Sequence, residues 1–140
     1  MILAAVSDKD NGGSIPSNLL QIPNSESNGQ YLRGCKALGI PGHPARFPPK
    51  LPEFFIRFLT KPGDLVLDIF AGSNTTGMVA EAEGRNWLAF EADRDYLAAS
   101  AFRFMDPVTP EDRLSALYAA VLSGQPVETT EYLVEKPLFV

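Results

Sequence analysis

The sequence predicts an α/β fold in which parallel strands alternate with flanking helices and the sheet is incomplete within this chain. Three observations predict it. Leu65-Val-Leu-Asp-Ile-Phe70 is a short apolar run of the kind shown by a parallel strand buried on both faces, and it leads without a break through Ala71-Gly72-Ser73 into a helix start. Trp87-Leu-Ala-Phe-Glu91 is a second such run, one helix-length segment later, which is the layout of a βαβ unit. A strand as apolar as the first belongs inside a sheet with neighbours on both edges, yet the chain offers only about two or three convincing strands.

Taken in order, residues 1–30 are rich in Gly, Ser and Asn, with one apolar stretch at Leu19-Leu20-Gln-Ile22, and read as irregular. Met1-Ile-Leu-Ala-Ala-Val6 is too short for a membrane span and is followed by Asp8 and Asp10, so it is neither span nor signal peptide and is more like a strand fragment. Tyr31 to Leu38 is a short helix ended by Gly39. Pro44, Pro48, Pro49 and Pro52 then forbid regular helix across residues 42–52 and make a stiff extended segment. Leu51, Phe54, Phe55, Phe58 and Leu59 fall at helical spacing, so an amphipathic helix with an aromatic face follows; its phenylalanines are expected in the core.

Lys61-Pro-Gly-Asp64 makes the turn into the first strand. After the glycine turn, Asn74 or Thr75 caps a helix carrying Met78, Val79 and Ala82, which Gly84 stops. Beyond the second strand, Asp93 or Asp95 starts a helix with Tyr96, Leu97, Ala101, Phe102 and Met105, stopped by Pro107. Thr109 is the expected cap of a last helix bearing Leu114, Leu117, Tyr118, Val121 and Leu122, and the weak alternation of Val127 to Val140 suggests an edge strand.

Composition narrows the function classes. With 140 residues, 45% of them apolar and 21% charged, the chain is one ordinary globular domain at most. One cysteine, Cys35, and one histidine, His43, exclude an internal disulfide and leave too few ligands for a structural zinc site, so no metal and a cytoplasmic setting are expected. The net charge of −5 argues against a complete nucleic-acid binder. It is unevenly spread: residues 31–61 hold Arg33, Lys36, Arg46, Lys50, Arg57 and Lys61 against Glu53, a segment that suits a local phosphate contact or a merely solvated surface equally well.

The turn itself discriminates between nucleotide sites. Gly72-x4-Gly77 has the outer spacing of a phosphate-cradling loop, but Met78 stands where the lysine is required. The dinucleotide fingerprint needs three glycines, and here one glycine is followed by Ser-Asn-Thr-Thr. Asp68 at the strand's end would repel a phosphate but accept hydrogen bonds from an ammonium or hydroxyl group. Glu91, 19 residues after Gly72, lies at the spacing at which a carboxylate accepts ribose hydroxyls. The pair describes a βαβ site for a nucleoside without phosphate.

Asp68-Ile-Phe-Ala-Gly-Ser-Asn-Thr-Thr-Gly77, with Glu91 downstream and His43-Pro-Ala-Arg-Phe-Pro48 upstream, resembles the S-adenosylmethionine half of a DNA amino-methyltransferase of the permuted order, in which the cofactor motifs follow the catalytic one. The similarity spans roughly residues 12 to 105 and includes Gly13-Ser-Ile-Pro-Ser-Asn-Leu-Leu20 and Asn24-Ser-Glu-Ser-Asn28, which resemble what precedes the His-Pro motif in cytosine-N4 methyltransferases. It implies a partial Rossmann-like methyltransferase fold and S-adenosyl-L-methionine as cofactor. It also implies site residues: Asp68, Phe70, Gly72, Ser73, Asn74 and Thr75 around the methionine part, Glu91 on the ribose, and His43, Pro44 and Phe47 closing the pocket. His43 is expected to line the pocket, not to act as a base.

That family also carries an Asp/Ser-Pro-Pro-Tyr/Phe motif for the target base, and this sequence has none: its one Pro-Pro, Pro48-Pro49, is followed by Lys50. The expectation is therefore a C-terminal, cofactor-binding portion of a site-specific DNA methyltransferase, cytosine-N4 before adenine-N6, working on double-stranded DNA through a complementary catalytic half or a second chain. Its organisation reads as residues 1–42 loop-rich, 43–105 cofactor-binding core and 106–140 helix and tail. The competing readings are a catalytically silent interaction fragment and an enzyme methylating a small molecule on the same fold.

Overall fold

The computed structural model describes residues 19–23 and 29–132. Its elements run α1 (Gln30–Ala37), α2 (Lys50–Leu59), β1 (Leu65–Asp68), α3 (Thr75–Ala82), β2 (Asn86–Ala89), α4 (Arg94–Ser100) and α5 (Glu111–Leu122), with single 3-10 turns at Ala101–Phe104 and Thr129–Tyr132. β1 and β2 pair in parallel with Leu65 opposite Asn86 and Asp68 opposite Ala89. The ladder continues past the strands: the Phe90 N–H donates to the Asp68 carbonyl and the Ala71 N–H to the Phe90 carbonyl, each at 2.9 Å. Among the described residues the sheet has these two strands and both outer edges are open.

Two apolar interiors hold the chain together. Ile56 of α2 and Val79 and Ala80 of α3 pack on Val66 and Trp87, covering one face of the sheet as the right-handed crossover of a βαβ unit requires. The larger interior gathers Tyr31 and Cys35 of α1, Ala99 of α4, Phe102 and Met105 of the following turn, and Leu114 and Leu117 of α5. It is drawn from all three stretches of the sequence, residues 1–42, 43–105 and 106–140. No helix among the described residues is long and apolar enough to cross a membrane.

Four expectations are corrected. β1 is not buried on both faces: Leu65, Leu67 and Ile69, with Leu88 and Phe90 beside them, are between 48% and 62% exposed, because α2 and α3 lie on the other face and the described residues supply no second layer. The phenylalanines of α2 are not core either. The helix turns Pro52 and Ile56 inward, while Phe55, Phe58 and Leu59 stay exposed and the rings pack on one another, Phe54 stacked on Phe58 at 5.9 Å and edge-on to Phe55 at 5.2 Å. Helical spacing marks a stripe, but which side of a wide stripe faces inward depends on what α3 and β1 present.

Thr109, the third, does not cap α5. Pro110 holds the capping position without a side-chain bond, and the Thr109 hydroxyl is buried with no hydrogen-bond partner among the described residues. Residues 127–132 form no strand, since Thr129–Tyr132 is a 3-10 turn. The rest of the tail, Met1 to Val6, Asn24-Ser-Glu-Ser-Asn28 and most of Gly13 to Leu20 lie outside the described residues.

Phe102 is completely buried and Phe58 is 60% exposed. Phe102→Ala should therefore lower the unfolding free energy by about 3–5 kcal/mol, and Phe58→Ala by less than about 1 kcal/mol, in equilibrium denaturation of the chain.

Candidate functional site

Parallel pairing puts the carboxyl ends of β1 and β2 side by side, so the two loops that follow them meet. Glu91 joins them: its Oε2 accepts the Gly72 N–H at 2.7 Å and its Oε1 accepts the Asp93 N–H at 2.9 Å. Asp93 in turn caps α4, its Oδ1 accepting from the Asp95 N–H at 2.9 Å and the Tyr96 N–H at 3.1 Å. Asp68 closes the end of β1 by accepting the Phe70 N–H at 3.0 Å, a side-chain turn that breaks the strand and leaves Phe70 85% exposed at the rim.

Gly72 is required twice over. Its φ of +53° is a left-handed conformation, and a Cβ on it would lie 3.1 Å from the His43 imidazole. Asn74 also takes a left-handed φ, +55°, from which its Oδ1 caps α3 by accepting the Gly77 N–H at 3.1 Å. Gly77 makes room for this cap, since a Cβ there would sit 2.3 Å from that oxygen. Ser73, Asn74 and Thr75 are all buried. Their side chains are engaged inside the turn, and what the turn presents outward is backbone.

The proline-dense segment crosses this turn as a strap. The His43 N–H donates to the Tyr31 hydroxyl at 2.8 Å, and its ring packs edge-on to Tyr96 with centroids 4.6 Å apart. His43 Nδ1 is buried with no hydrogen-bond partner among the described residues. Pro44 is exposed, and Phe47 lines a wholly apolar groove of about 380 Å³ with Leu51, Phe55 and Val66, on the α2 side of the strap. The structure thus brings His43, Gly72 and Glu91 together with Asp68 and Phe70 next to them, and sends Pro44 and Phe47 elsewhere.

The basic segment is less free than its composition suggests. Arg57 makes a bidentate pair with Glu83 at 2.7 Å and a second pair with Glu53 at 2.8 Å, and it holds the Glu83 carboxyl below the usual carboxylate range. Arg46 donates to the His43 carbonyl, and Arg33 reaches the Asp106 carbonyl. Arg33, Arg46, Lys50 and Arg57, four of the six cations, therefore interact within the chain. Among the described residues no group of His, Cys, Asp and Glu is placed to hold a metal ion.

A family model described as DNA methylase (N6_N4_Mtase) matches residues 6–102. The chain belongs to the DNA methylase family. It is 63% identical over 120 residues to the type II methyltransferase M.PvuII of Proteus hauseri, a match covering 86% of this chain and 36% of that protein. It is 45% identical over 58 residues to the type II methyltransferase M.BglI of Bacillus subtilis, covering 41% of this chain and 17% of that one. The solved structure of the PvuII DNA methyltransferase (cytosine-N4-specific) superposes with a TM-score of 0.76 at 63% identity, over 79% of this chain and 39% of that one. The chain spans little more than a third of the length of the PvuII methyltransferase and less than a fifth of M.BglI, and its fold matches that part of the PvuII enzyme.

Sequence spacing in this DNA methylase chain points to the turn, the two carboxylates and the histidine, but misses Tyr31, Tyr96 and Arg103. Tyr31 and Tyr96 read locally as apolar helix positions. Arg103 stands 30 residues from the serine it grips, a separation that no short motif spans.

The Asn74 geometry yields a graded expectation. Asn74→Gly keeps the left-handed backbone and removes only the cap, costing a few tenths of a kcal/mol, roughly; Asn74→Ala removes the cap and strains the backbone, costing about 2 kcal/mol. Denaturant unfolding of both variants checks the order.

Proposed function

We propose that this chain is the S-adenosyl-L-methionine-binding portion of a site-specific DNA methyltransferase that methylates an exocyclic amino group, cytosine N4 in preference to adenine N6. The observation that carries the reading is the meeting of His43 and Glu91 on Gly72, three separate motifs converging on one backbone position. The residues suit the cofactor. Each Glu91 oxygen accepts one backbone N–H and keeps a lone pair that a ribose hydroxyl can use. Asp68 uses Oδ1 on Phe70, which leaves Oδ2 for an ammonium group, and exposed Phe70 offers an apolar wall. Gly72, Ser73, Asn74 and Thr75 contribute the shape of the turn, and His43 is the residue of the strap that meets it.

When bound, the cofactor supplies an electrophilic methyl group on a sulfonium centre. This chain's part is to bind and orient it: the turn fixes the amino-acid end, Glu91 the ribose, and the strap excludes water. Holding the target base falls to a complementary catalytic half carrying the Pro-Pro-aromatic motif that this sequence lacks, and that half brings the double-stranded DNA. The 63% identity to a protein titled cytosine-N4-specific favours cytosine. The open sheet face of Leu65, Leu67, Ile69, Leu88 and Phe90 supports a second layer supplied by that half or, failing it, by self-association. The setting is cytoplasmic, with no membrane or metal involved.

Glu91→Ala should weaken binding of S-adenosylmethionine or its demethylated product about ten- to a hundredfold in calorimetric titration; unchanged affinity would remove Glu91 from the ribose site. Methyl incorporation into DNA should require mixing this chain with one that bears the Pro-Pro-aromatic motif. Transfer by the purified chain alone would mean that other residues hold the base, and none in the mixture would favour a silent interaction fragment.

A further inference from the structure

Arg103 lies in the 3-10 turn after α4 and reaches back to the glycine turn. Its Nε donates to the Ser73 carbonyl and its Nη2 to the Ser73 hydroxyl at 2.8 Å, so the planar fork grips backbone and side chain of one residue. The same guanidinium lies over the ring of Tyr31, 5.1 Å from its centroid. Tyr31 is 1% exposed, and its hydroxyl accepts the His43 N–H. One chain of contacts therefore runs from the turn through Arg103 and Tyr31 to the strap, behind the point where His43 and Gly72 touch.

The guanidinium has no carboxylate partner among the described residues, and burial pulls it down to about 10 while burial pushes Tyr31 up to about 12. Near neutral pH both keep the forms the contacts need, a cation and a neutral hydroxyl. A half-buried cation without a counter-ion is a costly way to fill an interior that an aliphatic side chain would fill more cheaply. Packing alone gives no reason for it. The geometry of its fork does.

We propose that Arg103 is a positioning residue, with Tyr31 as its relay, that holds the Gly72–Ser73 turn in register against the His43 strap and so fixes the shape of the binding surface around their contact. The consequence for ligand affinity rests on the cofactor reading above; the consequence for the turn and strap does not.

The test uses the full chain with Arg103→Leu, Arg103→Lys and Tyr31→Phe. Tyr31→Phe keeps the ring under the guanidinium and deletes the hydroxyl that accepts from His43 and bonds with the Cys35 thiol. Expected is amide hydrogen exchange at least about tenfold faster at His43 in Tyr31→Phe, and at Ser73 and Asn74 in both Arg103 variants, with exchange in α5 and the unfolding midpoint little changed. Affinity for S-adenosylhomocysteine should fall about tenfold or more in all three, with Arg103→Lys no better than Arg103→Leu because the fork is lost in both. Local exchange changes in a chain whose wild type binds no S-adenosylhomocysteine would uphold the positioning role and count against the cofactor reading. Uniformly faster exchange with a lowered midpoint, or unchanged exchange at turn and strap, would overturn the proposal and leave Arg103 a packing residue.

Discussion

Everything at the candidate site depends on the parallel, in-register pairing of β1 with β2. Parallel strands need a crossover, and α3 provides it on one face. Because the strands run the same way, Asp68 and Glu91 finish at one end of the sheet, and the 2.7 Å bond from the Gly72 N–H to Glu91 closes the gap between the loops. Slipping the register by one residue would turn Val66 and Trp87 away from Ile56 and Val79 and move Glu91 off Gly72, so core and site are specified by the same alignment.

The same pairing explains what the chain leaves undone. A central strand of a doubly wound sheet is apolar on both faces, and the described residues cover one. Leu65, Leu67, Ile69, Leu88 and Phe90 are about half exposed, so each would gain roughly half of the ~1.5–3 kcal/mol that complete burial of such a side chain contributes, a sum large beside the net stability of a domain this size. The rings of α2 tell the same story, since Phe55 and Leu59 border an apolar groove that no described residue fills. An interior of seven buried residues holds α1, α4 and α5 together without help from that face. The buried interior and the open apolar face of the described residues thus lie in different layers.

Electrostatics is local rather than global in this molecule. The cations that make residues 31–61 basic include Arg57, paired with two glutamates, and Arg46, folded back on the strap. Arg103, which composition places in no basic cluster, is the guanidinium tied to the turn. Counting charges along the chain says little about which of them a ligand would meet.

The strand, turn and helix of residues 65–82, the second strand, the caps to within a pair of residues each (Asn74 or Thr75, Asp93 or Asp95, of which the structure uses Asn74 and Asp93) and the helix ends at Gly39 and Gly84 were legible, because each is dictated by neighbours within a few residues: apolar run, backbone freedom, side-chain reach to the next turn. The βαβ spacing also set Gly72 and Glu91 together, since both follow parallel strands of equal length. Only the tertiary structure decided which face of α2 and of β1 is buried, that Thr109 makes no cap, that Ser73 and Asn74 turn inward, and that Tyr31, Tyr96 and Arg103 stand behind the strap. Those outcomes follow from packing between segments tens of residues apart, where spacing along the chain carries no information and the winner is whichever surface another element comes to meet.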